Sequence, residues 1–172
     1  LIMILLAAYC LLIGFRPTSG GLFGDTVIYA KGYAHTSPGN IKIGLSEKEW
    51  LFNLFFTLCA QFFEVSIFFT FVMLGYIFFA YAGIKKLFLN NTYGALLFYI
   101  GAFSFFTYAT NGIRNGLGCA IVILAISFVA DDKHKNYTAF VLLSLAAYFI
   151  HKSTALPVVC CIAALFIKNP RP

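Results

Sequence analysis

The stretch Ala109-Thr-Asn-Gly-Ile-Arg-Asn-Gly-Leu-Gly-Cys-Ala120 decides how this chain is interpreted. It lies between apolar runs at 93–108 and 117–130, and Arg114 is the only full charge in the segment 87–130. A lone arginine costs roughly 3 kcal/mol or more at the centre of a membrane helix, so it belongs at a helix end or in a wet cavity. Two interpretations are open: a guanidinium beside a helix N-terminus that binds an anion, or a short turn with a snorkelling arginine.

The composition is that of a membrane protein. The chain has 172 residues, of which 61% are hydrophobic and 10% charged, with a mean hydropathy of +0.88. A soluble domain carries about 25% charged residues. We therefore expect a polytopic membrane protein, and we interpret 1–172 as a single transmembrane domain that is a fragment of a longer protein.

The net charge of +6 does not indicate a nucleic-acid partner, because the basic residues lie at the ends of apolar runs, where membrane proteins place them. The five cysteines all lie within apolar runs, and none forms a CxxC motif. Buried free thiols are expected rather than disulfides or a metal site. The chain has no DxD, no HExxH and no His/Cys cluster with ligand spacing, so we predict neither a protein-held metal nor a cofactor.

The predicted fold is all-α: a polytopic transmembrane helical bundle of about five to six membrane segments, with an interfacial helix in the first outer loop. That loop covers 16–48, and the interfacial helix covers 49–63. The last two apolar runs are shorter than the hydrocarbon core is thick, so either they continue through the polar joint between them or the joint lies in a protein-lined recess. The predicted spans lie at about 1–15, 65–84, 93–110, 113–130, 137–151 and 155–168.

Polar residues mark the ends of the predicted helices. A stripe at spacings of 4, 4, 4 and 3 runs from Glu49 to Glu64, which indicates a helix lying in the interface or dipping into a cavity. Glu64 is expected near the N-terminus of the second span, where the helix dipole favours an acid. Asp25 is expected to cap a short helix over 25–34.

The positive-inside rule predicts the orientation. Short polar segments after the second, fourth and last apolar runs carry one set of basic residues, which we assign to the cytoplasm: Lys85, Lys86, Lys133, Lys135, Lys168 and Arg171. The opposite helix ends then all fall on the outer face of the membrane, and they contribute Arg16, Asp25, Arg114, His151 and Lys152.

This outer group suits transfer chemistry on a lipid-linked phosphate or pyrophosphate. Arginine binds phosphate bidentately and stays charged in dry surroundings, and histidine can take or give a proton near neutral pH. Each residue also has a simpler interpretation. Asp25 can be a helix cap, His151 can cap carbonyls, and Arg16 and Lys152 can be interfacial anchors. The aromatic residues face lipid or pack, although they could also line a groove for a polyprenyl tail.

Three segments together resemble the EpsG family. Arg16 followed by Gly24-Asp25 and Tyr29 resembles the family's first outer loop. The segment 111–120 resembles its "IRQGLA" helix start, and His151-Lys-Ser153-Thr-Ala-Leu156 resembles its "HxSAL" segment. The chain departs from the family pattern at Asn115, where glutamine is usual, and at Gly118, where alanine is usual.

The resemblance implies a polysaccharide polymerase or glycosyltransferase of the bacterial inner membrane, with its active face outward, for exopolysaccharide, capsule or O-antigen. Its substrate would be a lipid-linked oligosaccharide on polyprenyl pyrophosphate, and other polysaccharide-synthesis proteins would be partners besides membrane lipids. His151 or Asp25 would take the proton from the acceptor hydroxyl. The expected pyrophosphate- and substrate-binding residues are Arg114, Arg16, Asn111, Asn115, Ser153 and Tyr29.

Other functions are compatible with the same residues. A transporter or flippase of lipid-linked sugars would also need an arginine-lined recess, but it should need polar access from the inner face, where the loops are short. A membrane O-acyltransferase could use His151 as its base. A structural subunit of a synthase complex would need no chemistry at all.

Overall fold

The computed structural model describes residues 2–18, 23–36, 48–130 and 135–167, and within these ranges the regular elements are helices. The all-helical prediction is confirmed for this part of the chain. A short 3-10 turn, Lys152–Thr154, precedes the last helix. The α-helices are α1 (Ile2–Gly14), α2 (Gly24–Ala34), α3 (Trp50–Phe62), α4 (Val65–Leu87), α5 (Thr92–Gly101), α6 (Phe103–Thr110), α7 (Ile113–Ser127), α8 (Tyr137–Ile150) and α9 (Ala155–Phe166).

By length and hydropathy, α4 is the one helix of the described ranges that could cross a membrane by itself. Helices α5 and α6 satisfy the same test when taken together, although they are bent by 67° at the break between them. The apolar helices α3, α7 and α8, and the segment Lys152–Phe166, are shorter than a typical span.

Helix α4 forms the centre of the bundle. Gly14 at the end of α1 lies against Thr70 near the start of α4, whereas Leu6 packs with Ile84 near its end, so α1 and α4 are antiparallel. Gly75 faces Leu117 and Gly83 faces 123–124 of α7, so α4 and α7 run parallel. Close approach at Gly83 requires glycine, since a Cβ there would lie 2.8 Å from the Leu124 backbone nitrogen.

The bundle has two chemically different ends. Gly118 lies beside Ala147, and Ala125 packs with Phe140, so α7 and α8 are antiparallel. Arg16, Arg114 and His151 therefore lie at one end, here called the site end. Lys85 and Lys86 lie at the opposite end, where the Lys86 ammonium sits 3.6 Å from the Phe128 ring centroid. Lys133, Lys168 and Arg171 lie outside the described residues.

The segment expected as one span at 93–110 is two helices. The chain turns at Ala102, whose ψ of 133° is extended, directly after Gly101. Glycine resists helix propagation, and the rings of Tyr76 and Phe105 stack with their centroids 5.0 Å apart, which holds α6 against α4 after the turn.

Helices α8 and α9 form a hairpin. His151 adopts an extended conformation, and the 3-10 turn then reverses the chain. The two helices face each other across an apolar groove of about 260 Å³ that runs from Tyr148 and Ala155 to Phe140 and Ile162. The polar joint is thus a tight turn at the site end rather than the middle of a continuous helix.

Two predicted helix ends need correction. Phe23, not Asp25, is the N-cap residue of α2, and Asp25 lies exposed in the first turn. The helix predicted over 49–63 begins at Trp50, which leaves Glu49 at the N-cap position with a side chain that does not cap. Glu64 precedes α4 in the same way, also without a side-chain capping hydrogen bond.

Candidate active site

Two glycines of α7 bring the neighbouring segments close to Arg114. A Cβ on Gly116 would lie 2.8 Å from the Cβ of Tyr108, at the end of α6. A Cβ on Gly118 would lie 2.8 Å from the Cγ2 of Thr154, in the 3-10 turn. Side chains at these positions would push both segments away. Both glycines lie inside α7, and Gly118 allows the segment after His151 to pack against this helix.

Glu49 lies between the arginine and the histidine. Its Oε2 forms an ion pair with Nη1 of Arg114, and its Oε1 lies 2.6 Å from Nδ1 of His151. The Glu49 side chain is 11% exposed, against 27% for His151 and 37% for Arg114. The carboxylate therefore lies behind the other two groups, which both keep an accessible surface. We call these three residues the charged cluster.

Two rings from the preceding helices lie beside the arginine. The guanidinium carbon of Arg114 lies 5.7 Å from the ring centroid of Tyr29, on α2, and 5.8 Å from that of Phe52, on α3. These distances suit cation–π attraction. Burial raises the pKa of the Tyr29 hydroxyl, and the negative charges of Asp25 and Glu49 act in the same direction, while Arg114 opposes them. Tyr29 therefore stays protonated and can donate a hydrogen bond at neutral pH.

A second pair of predicted site residues lies next to the charged cluster. Ser153 Oγ donates a hydrogen bond of 2.9 Å to Asn115 Oδ1, which is also 3.5 Å from the Sγ of Cys119. Ser153 is exposed and Asn115 is partly buried. The amide oxygen of Asn111, at the joint between α6 and α7, is buried and has no hydrogen-bond partner among the described residues. Such a group is available to a ligand or an ordered water.

Arg16 has a different environment. It is only 5% exposed, and it lies 4.1 Å from the ring centroid of Phe69. It donates hydrogen bonds to Thr26 Oγ1 at 2.8 Å, to the Ile13 carbonyl at 2.7 Å and to the Thr110 carbonyl at 3.4 Å. All these partners are neutral. They join the ends of α1 and α6 to α2, and we call this arrangement the Arg16 joint.

The structure thus brings together Arg114 and His151 through Glu49, with Tyr29 beside the arginine and Asn115 and Ser153 in contact with each other. Asp25 lies one helical turn from Tyr29 and is exposed. Arg16 is buried in its own joint. Among the residues that the structure describes, no group of three His, Cys, Asp or Glu side chains is placed to hold a metal ion.

Sequence reasoning missed Glu49 as a site residue. Its helical spacing with Asn53 assigned it to a polar stripe on α3, although the helix begins one residue later. One signal was present: an arginine in an apolar chain needs a counter-charge, and the chain has only six acidic residues. Four of these acidic residues precede the second predicted span in the sequence and were therefore candidates for the counter-charge: Asp25, Glu47, Glu49 and Glu64.

Comparison with known families gives one match. The model of the EpsG family matches residues 1–171, which is essentially the whole chain. None of the curated proteins and none of the solved structures gives a significant match.

Proposed function

The chain belongs to the EpsG family, and we propose that it is a polysaccharide polymerase, a glycosyltransferase that acts on the outer face of the bacterial inner membrane. It would transfer a glycan from a polyprenyl pyrophosphate carrier to a sugar hydroxyl of a second lipid-linked unit, in exopolysaccharide, capsule or O-antigen synthesis. The family suggests an exopolysaccharide-related membrane protein. The reaction, the carrier and the orientation are our proposal.

The exposed surface supports a membrane location. Large apolar side chains are strongly exposed on several helices, with Phe98 86%, Phe103 85% and Phe166 81% exposed. Water would penalise such surfaces, whereas lipid tails would cover them at no cost. We propose that the helices α1, α4, α5–α6, α7, α8 and α9 lie in the membrane, with the site end outward and the end that carries Lys85 and Lys86 inward.

The charged cluster is the observation that carries the catalytic proposal. The Glu49 carboxylate contacts both Arg114, which is 65 positions away in the sequence, and His151, which is 102 positions away. Arginine presents five N–H donors, and Glu49 engages only Nη1, so further donors of the guanidinium remain for a pyrophosphate oxygen. Asn111, Asn115 and Tyr29 would supply further hydrogen bonds to the pyrophosphate or the sugar.

The proposed reaction needs a bound anion and a proton acceptor. The acceptor hydroxyl oxygen forms a bond to the anomeric carbon while the bond from that carbon to the pyrophosphate oxygen breaks. The electron pair stays on the pyrophosphate, whose charge Arg114 balances. His151 takes the hydroxyl proton and later releases it to water, and Ser153 positions the acceptor. Asp25, exposed at the start of α2, is the alternative proton acceptor.

Arg16 would serve the reaction indirectly. Its hydrogen bonds to Thr26 and to the Thr110 carbonyl fix α2 against the end of α6. Tyr29 is on α2, and Arg114 follows α6 by a short joint. The Arg16 joint would thus set the spacing between the tyrosine and the arginine.

The experiment that tests this function uses Arg114→Ala, His151→Ala and Asp25→Ala in cells, with membrane abundance measured in parallel. We expect the first two variants to accumulate single lipid-linked repeat units and to lose long polymer at normal abundance. Unaltered polymer length in all three variants would contradict the proposed site. Accumulation of repeat units on the inner leaflet alone would instead identify a flippase.

A further inference from the structure

The two oxygens of the Glu49 carboxylate have different partners. Oε1 lies 2.6 Å from Nδ1 of His151, while Oε2 is paired with Arg114. An ionised carboxylate only accepts hydrogen bonds, so the imidazole must carry a proton on Nδ1. In neutral histidine the other nitrogen, Nε2, then holds the free lone pair.

We propose that Glu49 is a positioning residue that fixes His151 in the Nδ1–H tautomer and so presents Nε2 as the proton-accepting atom. This inference rests on the proposed function, because it identifies which atom of His151 would take the acceptor proton. The second oxygen of Glu49 holds Arg114 at the same time. One carboxylate therefore fixes the spacing between the pyrophosphate-binding group and the base.

The local structure supports this role. An acidic residue at an N-cap position ordinarily accepts hydrogen bonds from the first turn of its own helix. Glu49 makes no such bond, and its carboxylate is directed towards α7 and the turn after α8 instead. Its low exposure of 11% shields the hydrogen bond to the imidazole from water, which strengthens it.

Glu49→Gln is the sharpest test because the side chains have the same shape. The carboxylate accepts from both partners, whereas an amide accepts through oxygen and donates through nitrogen. Glutamine must therefore present its NH₂ group either to His151, which favours the opposite tautomer, or to Arg114, which repels it. Glu64→Gln is the matched control, since Glu64 is exposed, also precedes a helix and makes no side-chain capping bond.

The measurement combines nitrogen NMR with activity. The purified protein carries ¹⁵N-labelled histidine, and His151→Gln assigns the His151 signals against those of the other histidines. At alkaline pH we expect wild type and Glu64→Gln to show Nδ1 protonated and Nε2 unprotonated. In Glu49→Gln we expect a shift towards the Nε2–H tautomer and about a 10²-fold loss of polymer formation. Glu49→Asp keeps the charge and should recover part of the activity.

The outcomes separate this inference from the proposed function. A wild-type His151 that carries its proton on Nε2 would overturn the inference without any substitution of Glu49, so the inference can still be tested if Glu49→Gln does not fold. Glu49→Gln with wild-type tautomer and wild-type polymer formation would also overturn it, while loss of polymer in Arg114→Ala would leave the proposed function standing. Full activity in His151→Gln would also overturn the inference, whatever the tautomer, because Nε2 would then not be the proton acceptor. The proposed function fails only if polymer length is unaltered in Arg114→Ala and Asp25→Ala as well.

Discussion

The two arginines at the site end have the same charge but opposite environments. Arg114 is paired with a carboxylate and keeps 37% of its side chain exposed, whereas Arg16 is 5% exposed and donates to neutral oxygens. Burying a guanidinium is expensive unless it is hydrogen-bonded, and in the Arg16 joint each of its three nitrogens donates one hydrogen bond, to two carbonyls and a hydroxyl. An arginine buried in this way has little accessible surface to offer a ligand.

The difference separates a structural arginine from a candidate ligand-binding one. Arg114 has a single described ion-pair partner and an accessible face, so an incoming anion can reach it. Arg16 connects three chain segments, so its loss should disturb packing before it disturbs chemistry. Substitutions in the charged cluster should therefore lower activity, and substitutions in the Arg16 joint should lower stability.

The largest effect is expected on activity, from His151→Gln. Glutamine retains a polar group but cannot accept and release a proton as imidazole does, so we expect about a 10³-fold loss of polymer formation. Thermal unfolding of the purified protein should be nearly unchanged, because His151 is partly exposed. The matched control is His35→Gln, an exposed histidine at the end of α2, which should keep wild-type activity. Equal losses of polymer formation in His151→Gln and His35→Gln would contradict a specific role of His151 in the reaction.

The next largest effect is expected on stability, from a substitution in the Arg16 joint. Arg16→Met keeps the apolar stem of the side chain but removes the three hydrogen bonds of the guanidinium, to Thr26 and to the Ile13 and Thr110 carbonyls. A lost hydrogen bond costs about 1 kcal/mol, so we expect a loss of about 3 kcal/mol in the free energy of unfolding, measured by denaturant titration in detergent. Arg114→Gln should lose much less free energy of unfolding in the same assay. If Arg114→Gln proved the more destabilised of the two, the assignment of roles would be reversed.

The smallest effect concerns a hydroxyl of the Arg16 joint. Thr26 is fully buried, accepts from Arg16 and donates to the Thr110 carbonyl at 3.2 Å. Thr26→Val preserves the shape and removes both bonds, so we expect about 1 kcal/mol of destabilisation and polymer formation close to wild type. Thr36→Val is the control, since Thr36 donates only within its own helix end to the Gly32 carbonyl. A strong loss of activity in Thr26→Val at normal stability would place the joint inside the reaction chemistry.

Helix ends could be predicted from the sequence because apolar runs, glycine and charge mark them locally. Arg114 at the start of α7 and His151 directly after α8 follow from those local signals. Alternation of helix direction then predicts that both lie at the same end, as the packing of Gly118 against Thr154 shows. The family resemblance, confirmed over residues 1–171, depended on the same segments.

The contacts between these ends could not be predicted in the same way. Glu49 reaches residues 65 and 102 positions away, and helical spacing carries no information about such contacts. Nor does composition separate a buried arginine from an accessible one, which is why Arg16 and Arg114 were given one role. The 67° bend between α5 and α6 likewise depends on packing against α4, which overrides the apolar continuity of 93–110.

The most direct test of Arg114 as the pyrophosphate-binding residue is a reaction in proteoliposomes with a purified lipid-linked repeat unit. Release of polyprenyl pyrophosphate is measured for wild type, Arg114→Gln and Lys31→Gln, the last of which removes an exposed positive charge from α2. We predict that wild type and Lys31→Gln release one polyprenyl pyrophosphate for each glycosidic bond formed, while Arg114→Gln, folded to the same thermal midpoint, releases about 10³-fold less. Release by Arg114→Gln at the wild-type rate would contradict the assignment.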